Sequence, residues 1–296
     1  MKLGYPCINN SIGCTANSTF RLKSYSEEVL KEKVRSNLDC LMKTLEFNKT
    51  NNLLFFRIGS PLVPFASHPV NTFNWQDFFK NDFKKIGDFI KQKNFRISMH
   101  PDQFVLINSP NPNIVNRSIK ELEYHCQVLD LMGLDESAKV QIHVGGVYNN
   151  KPEAIQRFIE NYIKLPDFIK KRLAIENDER MFSLKDCVSI SEKTGIPIIF
   201  DFFHHACLNN KETIHEAIKL ASSTWKSQDG LLMTDYSSQS LGERKGKHIQ
   251  SINISDFKNT INQVKEIDFD VMLEIKDKEK SAIKALNLLV ELEKIK

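Results

Sequence analysis

No two cysteines of this chain stand in Cys-x-x-Cys spacing; Cys7, Cys14, Cys40, Cys126, Cys187 and Cys207 are scattered along it. That distribution argues against a zinc ribbon and a disulfide framework, and it fits reduced thiols in an intracellular protein. No apolar run approaches the length of a membrane span, and Met1-Lys2-Leu3-Gly4-Tyr5-Pro6 lacks the long apolar stretch of a signal peptide. The expected address is therefore the cytoplasm, with no membrane partner. Charge of one sign is lacking too. The 41 basic and 37 acidic residues leave a net +4, too slight to reveal a polyanionic partner and not opposed to one. Linkers, low-complexity tracts and repeats are missing, as is a Gly-rich phosphate loop after the first apolar run, which argues against a doubly wound sheet. What remains is the composition of a globule, 41% hydrophobic and 26% charged over 296 residues.

Short apolar runs alternate with longer amphipathic segments. Strands are predicted at Leu3–Pro6, Leu53–Ile58, Arg96–Met99, Val140–Val144, Leu173–Glu176, Ile198–Asp201, Leu231–Thr234 and Val271–Ile275. Helices are predicted at Glu27–Phe47, Trp75–Lys93, Ile114–Met132, Pro152–Lys164, Leu184–Lys193, Glu212–Ser223, Phe257–Glu266 and Lys278–Lys294. Asn74, Asn113 and Ser183 stand at helix entries, Pro152 at a first turn, and Gly133 and Gly195 at stops. Eight strand and helix pairs in one chain match an α/β fold of the (β/α)8 TIM-barrel type, typically about 250 residues, as a single domain over 1–296. The long connections, Pro6–Ser26, Gly59–Asn74, Pro101–Asn113 and Tyr236–Ser255, all follow strands, on the face where barrels carry active sites.

The strand ends carry a consistent set of side chains. His100 ends the third strand, His143 the fourth, Glu176 the fifth, Asp201 the sixth, Asp235 the seventh and Glu274 the eighth. His204 follows Asp201 by three residues, and His248 comes from the long loop after strand seven. Each has an ordinary explanation alone: Asp201 as a helix cap, Glu176 paired with Arg180, Glu274 paired with Lys276 or Lys278, His143 as a satisfied core histidine. Together, four carboxylates and several imidazoles at one rim would repel without compensation, and bound divalent cations supply it. Mixed His and carboxylate ligands without Cys fit zinc or manganese, and their number exceeds what one catalytic metal requires, so two or three ions are expected with Glu176 and Glu274 as bridges. His204 is preferred to His205 because its offset from Asp201 leaves room for one turn. His125 and His215 fall inside predicted helices and read as packing or surface residues. His68 is better placed for a phosphate contact or an outer metal.

Closely spaced divalent ions lower the pKa of a bridging water, bind phosphate oxygens and stabilise a leaving alkoxide, so phosphodiester hydrolysis is the natural chemistry of such a rim. A single-metal sugar isomerase or epimerase on the same barrel is the enzymatic rival, though it leaves the many histidines unexplained. A non-catalytic DNA-binding barrel would not need the ligand set.

The chain resembles the ultraviolet damage endonucleases, barrel relatives of endonuclease IV, over nearly its whole length. The resemblance rests on Gly4-Tyr5-Pro6, Arg57-Ile58-Gly59-Ser60, His100-Pro101-Asp102-Gln103-Phe104, His143-Val144-Gly145-Gly146, Glu176-Asn177-Asp178-Glu179-Arg180, Asp201-Phe202-Phe203-His204-His205 and the run Leu273 to Glu279. It implies an enzyme that nicks DNA directly 5′ to cyclobutane pyrimidine dimers and 6-4 products, leaving a 3′-hydroxyl and a 5′-phosphate, with an abasic-site endonuclease of the endonuclease IV type as a neighbouring alternative. It implies Mn2+ first, with Zn2+ or Mg2+ as alternatives, while the rim itself marks Glu176, Glu274 and Asp201 as the expected catalytic carboxylates. Implied too are a probe pair, Gln103 and Phe104, pushed into the duplex, with Tyr5 as its partner on the opposite side, filling the gap left by flipped bases. Asn9, Asn10, Lys23, Arg57 and Lys276 are candidate phosphate contacts. The expected partner is double-stranded DNA carrying photoproducts, with no organic cofactor, a monomeric state, and association with the nucleoid when DNA is bound. Two departures stand out: Met233-Thr234-Asp235 where the family often has Lys-x-His, and Phe104 where a tyrosine is common.

Overall fold

The computed structural model describes residues 1–294. Short β-branched and aromatic runs form β1 (Leu3–Pro6), β2 (Phe55–Ile58), β3 (Arg96–Met99), β4 (Lys139–His143), β5 (Leu173–Glu176), β6 (Ile198–Asp201), β7 (Leu232–Tyr236) and β8 (Phe269–Leu273). They close in sequence order, every pairing parallel, with β1 beside β8. Such strands need crossover helices, and these are α1 (Glu27–Thr50), α2 (Trp75–Phe78), α3 (Lys80–Gln92), α4 (Pro112–Leu131), α5 (Lys151–Lys164), α6 (Asp167–Lys170), α7 (Leu184–Thr194), α8 (Phe202–Cys207), α9 (Ile214–Ser222), α10 (Ile254–Gln263) and α11 (Glu279–Glu291). The expected barrel is thus present, with boundaries shifted by a few residues. The long helix expected from Trp75 divides at Phe79 (φ −99°, ψ 9°), and Trp75, Phe79 and Phe83 are all buried across the break. Among the described residues no helix is long and apolar enough to cross a membrane.

Strand and helix faces bury one apolar shell between barrel and helices, from Leu3 and Leu30 round to Leu289. A separate apolar layer, Phe55, Ala174, Ile199, Met233 and Met272, with Trp225 against it, fills the barrel itself. β1 is drawn close to β2 at Gly4, where an added Cβ would lie 1.5 Å from the Phe55 carbonyl oxygen.

The cysteine reading needs correction. Cys14, in the long loop after β1, is disulfide-bonded to Cys40 on α1, while Cys7, Cys126, Cys187 and Cys207 are free thiols. The sequence separation of 26 between the partners hides a proximity that arises only when the loop folds back over α1. Cysteine spacing therefore gives no support to the expected intracellular address.

Candidate active site at the barrel mouth

Side chains along a strand alternate between faces, so the residue two positions beyond one in the barrel's apolar layer also points inward, one layer nearer the mouth. From Phe55, Ala174, Ile199, Met233 and Met272 that step reaches Arg57, Glu176, Asp201, Asp235 and Glu274. β3 and β4 add His100 and His143. The charged floor of the mouth is therefore the layer above an apolar plug, and Met233 lies in the plug rather than at the rim.

Two groups of potential ligands share Glu176: His100, His143 and Glu176, and Glu176, Asp201 and His204, with the ligating atoms of each group within 4.8 Å of one another. Glu176 Oε2 lies 3.4 Å from His100 Nε2 and 3.7 Å from His143 Nε2, and Oε1 lies 2.9 Å from His204 Nδ1. Asp201 serves twice. Its Oδ1 accepts the His204 backbone N–H at 2.7 Å, capping α8, while Oδ2 lies 3.3 Å from His204 Nδ1. The helix-cap and ligand readings of Asp201 are therefore compatible. His205 turns away toward the Glu212 carbonyl at 3.3 Å.

Neighbouring backbone fixes the rings. His100 Nδ1 donates to the Pro101 carbonyl at 2.8 Å and His248 Nδ1 to the Glu274 carbonyl at 2.7 Å, which leaves each Nε2 as the ligating nitrogen. Asn177 clamps Asp201 by two bonds of 3.0 Å to its backbone and accepts from His204 Nδ1 through its own carbonyl. Sequence reasoning passed over Asn177, although it sits inside the quoted Glu-Asn-Asp-Glu run.

The electrostatics are those of a cation site. Burial pushes Glu176 up, but His143, His100 and His204 outweigh it and hold the carboxyl well below its usual range. Burial pulls His204 down, yet Asp201, Glu176 and Glu274 raise it to about 12. Asp201 is pushed well above its usual range by burial, helped by the carboxylates of Glu176, Asp235 and Glu274. Asp201 Oδ2 and His143 Nδ1 are buried without a hydrogen-bond partner. Such a deficit at a carboxylate facing imidazoles is met by a divalent ion, so the donor set fits one.

The expectations for Arg57 and Tyr5 are corrected, and Asp235 and His68 stand apart from the two ligand groups. Arg57, a candidate phosphate contact, is buried and bonds Asp235 at 2.6 Å, Gln141 at 2.8 Å and Glu274. Asp235, an expected ligand, has its other oxygen taken by Gln141 Nε2 at 2.5 Å and lies in neither group. Burial pushes Asp235 up and Arg57 pulls it back; with Glu274 and Glu176 adding, it stands at about 6. Tyr5, the expected second probe, is fully buried, its hydroxyl donating to Asn48 at 2.6 Å and accepting from Asn9 at 2.7 Å. It points outward from β1 into the shell beneath the helices, because Gly4 and Pro6 take the inward positions. His68 is exposed and apart from the floor, accepting from Val70 N–H and lining a groove with Phe65 and Phe104.

Glu274 follows the end of β8. One oxygen meets Arg57 and the other lies 3.9 Å from His248 Nδ1, so among the described residues it belongs to neither ligand group, and the residue common to both is Glu176. Gln141, two residues before His143 on the same strand face, donates from one amide nitrogen to Glu176 and to Asp235. Strand alternation at Gln141-Ile142-His143 was the signal for it. Asn10 is exposed, its backbone N–H bonded to Glu279, and Gln103, Phe104 and Lys276 are exposed as well.

Above the floor opens a groove of about 870 Å³. Arg57, His100, His143, His204, His248 and Glu274 line its base; Arg180, Arg244, Lys247, Lys276 and Lys278 line its walls together with Asp102, Glu179 and Glu243, the last two paired with Arg180 and Lys247. Gln103 overlooks both this groove and a neighbouring cavity of about 400 Å³ lined by Tyr148 and Met181. Walls with five cations to three acids, leaving Arg244, Lys276 and Lys278 outside those two pairs, over an acid and imidazole floor, match a polyanion whose phosphate must reach the base.

Barrel and mouth together define a (β/α)8 enzyme with its active site at the C-terminal ends of the strands. The sequence profile of the family described as UV-endonuclease UvdE matches residues 1–296, and the chain belongs to that family of endonucleases. It is 43% identical over 296 residues to the UV DNA damage endonuclease of Clostridium perfringens (strain 13 / Type A), covering 99% of this chain and 72% of that protein. It is 34% identical to that of Bacillus thuringiensis subsp. konkukian (strain 97-27), over 93% of this chain and 87% of the relative. The crystal structure of SacUVDE superposes with a TM-score of 0.96 at 49% identity, over the whole of both chains. Endonuclease IV from Thermus thermophilus (TM-score 0.56, 13% identity, 86% of this chain and 95% of that one) shares the barrel alone. So does the D-psicose 3-epimerase from Clostridium cellulolyticum H10 (TM-score 0.54, 12% identity, 82% and 83%). Family membership decides against the sugar isomerase reading.

Proposed function

We propose that the chain hydrolyses the phosphodiester directly 5′ to ultraviolet photoproducts in double-stranded DNA, leaving a 3′-hydroxyl and a 5′-phosphate, with divalent ions held at the barrel mouth. The observation that carries the reading is Glu176, common to two ligand groups at the base of a cationic groove. Bound there, divalent ions, Mn2+ first among those the donor set accepts, would supply Lewis acidity toward phosphate and water. His100, His143 and Glu176 would hold one, and Glu176, Asp201 and His204 another, with His248 and the outer oxygen of Glu274 facing the same space.

The chain's own residues do the rest. Arg244, Lys247, Lys276 and Lys278 receive backbone phosphates and set the register of the strand. Gln103 and Phe104, exposed at the tip of the loop after β3, enter the duplex, where a photoproduct has already weakened stacking and lowered the few kcal/mol that extrusion costs. The Nδ1–H bonds of His100 and His248 hold the rings so that no reorientation accompanies reaction.

The test is nicking of supercoiled plasmid, irradiated or not, with Mn2+. The irradiated plasmid should relax, with cuts mapping 5′ to dipyrimidines, and Glu176→Gln should abolish relaxation while retaining the wild-type circular dichroism spectrum. Equal cutting of both plasmids, or undiminished cutting by a folded Glu176→Gln, refutes the assignment.

A further inference from the structure

The floor of the mouth already contains one permanent cation. The Arg57 guanidinium, reaching inward from β2, is buried and donates through Nη2 to Asp235 Oδ1 at 2.6 Å and to Gln141 Oε1 at 2.8 Å, and through Nη1 to Glu274 Oε1. Gln141 completes the arrangement. Its carbonyl faces Arg57, which can only donate, so its amide nitrogen must face the acids, and it donates to Asp235 Oδ2 and Glu176 Oε2, both at 2.5 Å. Both oxygens of Asp235 are thereby engaged by donors within the protein, and one of Glu274. Asp201, on the neighbouring strand, shows the contrast: its Oδ2 is buried with no hydrogen bond, and only the His204 imidazole lies beside it, at 3.3 Å. A guanidinium differs from a divalent ion in that it never dissociates and cannot be chelated.

We propose that Arg57 takes the place of a third metal ion: it neutralises Asp235 and the inner oxygen of Glu274, so the centre loads two ions, both on Glu176, and none on Asp235. Within the proposed function, which it presupposes, this reduces an expectation of two or three ions to two and makes Asp235 a positioning residue. Through Gln141, Asp235 and Arg57 hold Glu176 at the angle that lets its two oxygens serve different ions.

The experiment counts ions rather than turnovers. Protein stripped with chelator is equilibrated with excess Mn2+, and bound metal is measured by elemental analysis and by the free Mn2+ electron paramagnetic resonance signal. The wild type should hold two ions per chain, one for each ligand group. Asp235→Asn, folded by circular dichroism, should still hold two, with affinity lowered by the roughly 10–100-fold typical of losing a residue that orients a ligand. Arg57→Met, which leaves two acids without their cation, should gain a third. A wild type that binds three ions, an Asp235→Asn variant that drops to one, or a folded Arg57→Met variant that stays at two overturns the proposal and leaves the proposed function standing. A wild type that binds none overturns both. Should Arg57→Met not fold, the wild-type and Asp235→Asn counts decide the matter alone.

Discussion

Because Glu176 is the residue common to both ligand groups, removing it should cost as much metal-dependent stability as removing one private ligand from each. A ligand that binds only the native state stabilises it by RT ln(1 + [L]/Kd), about 2.7 kcal/mol per site at a hundredfold excess over Kd. Two sites then contribute roughly 5 kcal/mol. At the size of this chain 1 kcal/mol moves Tm by about 2 °C, so saturating Mn2+ should raise the wild-type Tm by about 10 °C, some 5 °C per ion. His100→Ala removes a ligand private to one group and Asp201→Asn a ligand private to the other, so each should retain about half of the shift. Glu176→Gln should retain almost none of it and should match the His100→Ala/Asp201→Asn double variant. Each variant serves as its own reference, because the quantity read is Tm with Mn2+ minus Tm with chelator, by differential scanning calorimetry. If Glu176→Gln keeps half the shift, or Asp201→Asn loses all of it, the shared-ligand geometry is wrong.

Three further outcomes concern groups outside the ligand set. Gln103→Ala should reduce the preference for irradiated over unirradiated plasmid without altering the Mn2+ shift. Tyr5→Phe should leave that preference intact and lower stability by about 1–3 kcal/mol in urea denaturation, by stranding buried Asn48 and Asn9 groups; loss of discrimination by Tyr5→Phe would restore its probe role. Stability should also fall in acid through His125, whose burial, against a bond to the Glu121 carbonyl, pulls it from 6.5 down to about 4. The unfolded chain binds the proton first, so this contribution is complete above pH 6.5 and declines as pH falls toward 4, by about 3 kcal/mol at roughly 1.4 kcal/mol per unit. In metal-free protein His125→Gln should lose less stability over that interval than the wild type; equal losses would count against a neutral buried imidazole.

Within the barrel, period-two alternation made much of the mouth readable along the chain. Once eight apolar runs were assigned to one parallel barrel, His100, His143, Glu176, Asp201 and Asp235 had to lie at strand ends on one face, with Glu274 just beyond. The layer of Phe55, Ala174, Ile199, Met233 and Met272 beneath them follows from the same alternation. The α8 turn was harder to read because six residues carry too little periodicity, although its cap, Asp201, was in view.

Strand order, parallel direction and the identity of the rim were written in local pattern, since burial on both faces and the spacing of apolar residues are properties of each segment separately. Partner choice was not. Whether Arg57 meets phosphate or Asp235, whether Tyr5 faces a duplex or Asn48, and whether Cys14 finds Cys40 depend on which distant groups share one small buried volume. An inward arginine two residues from Phe55 must be neutralised by whatever acids the other strands bring within about 3 Å, and only closure of the barrel brings Asp235 and Glu274 there.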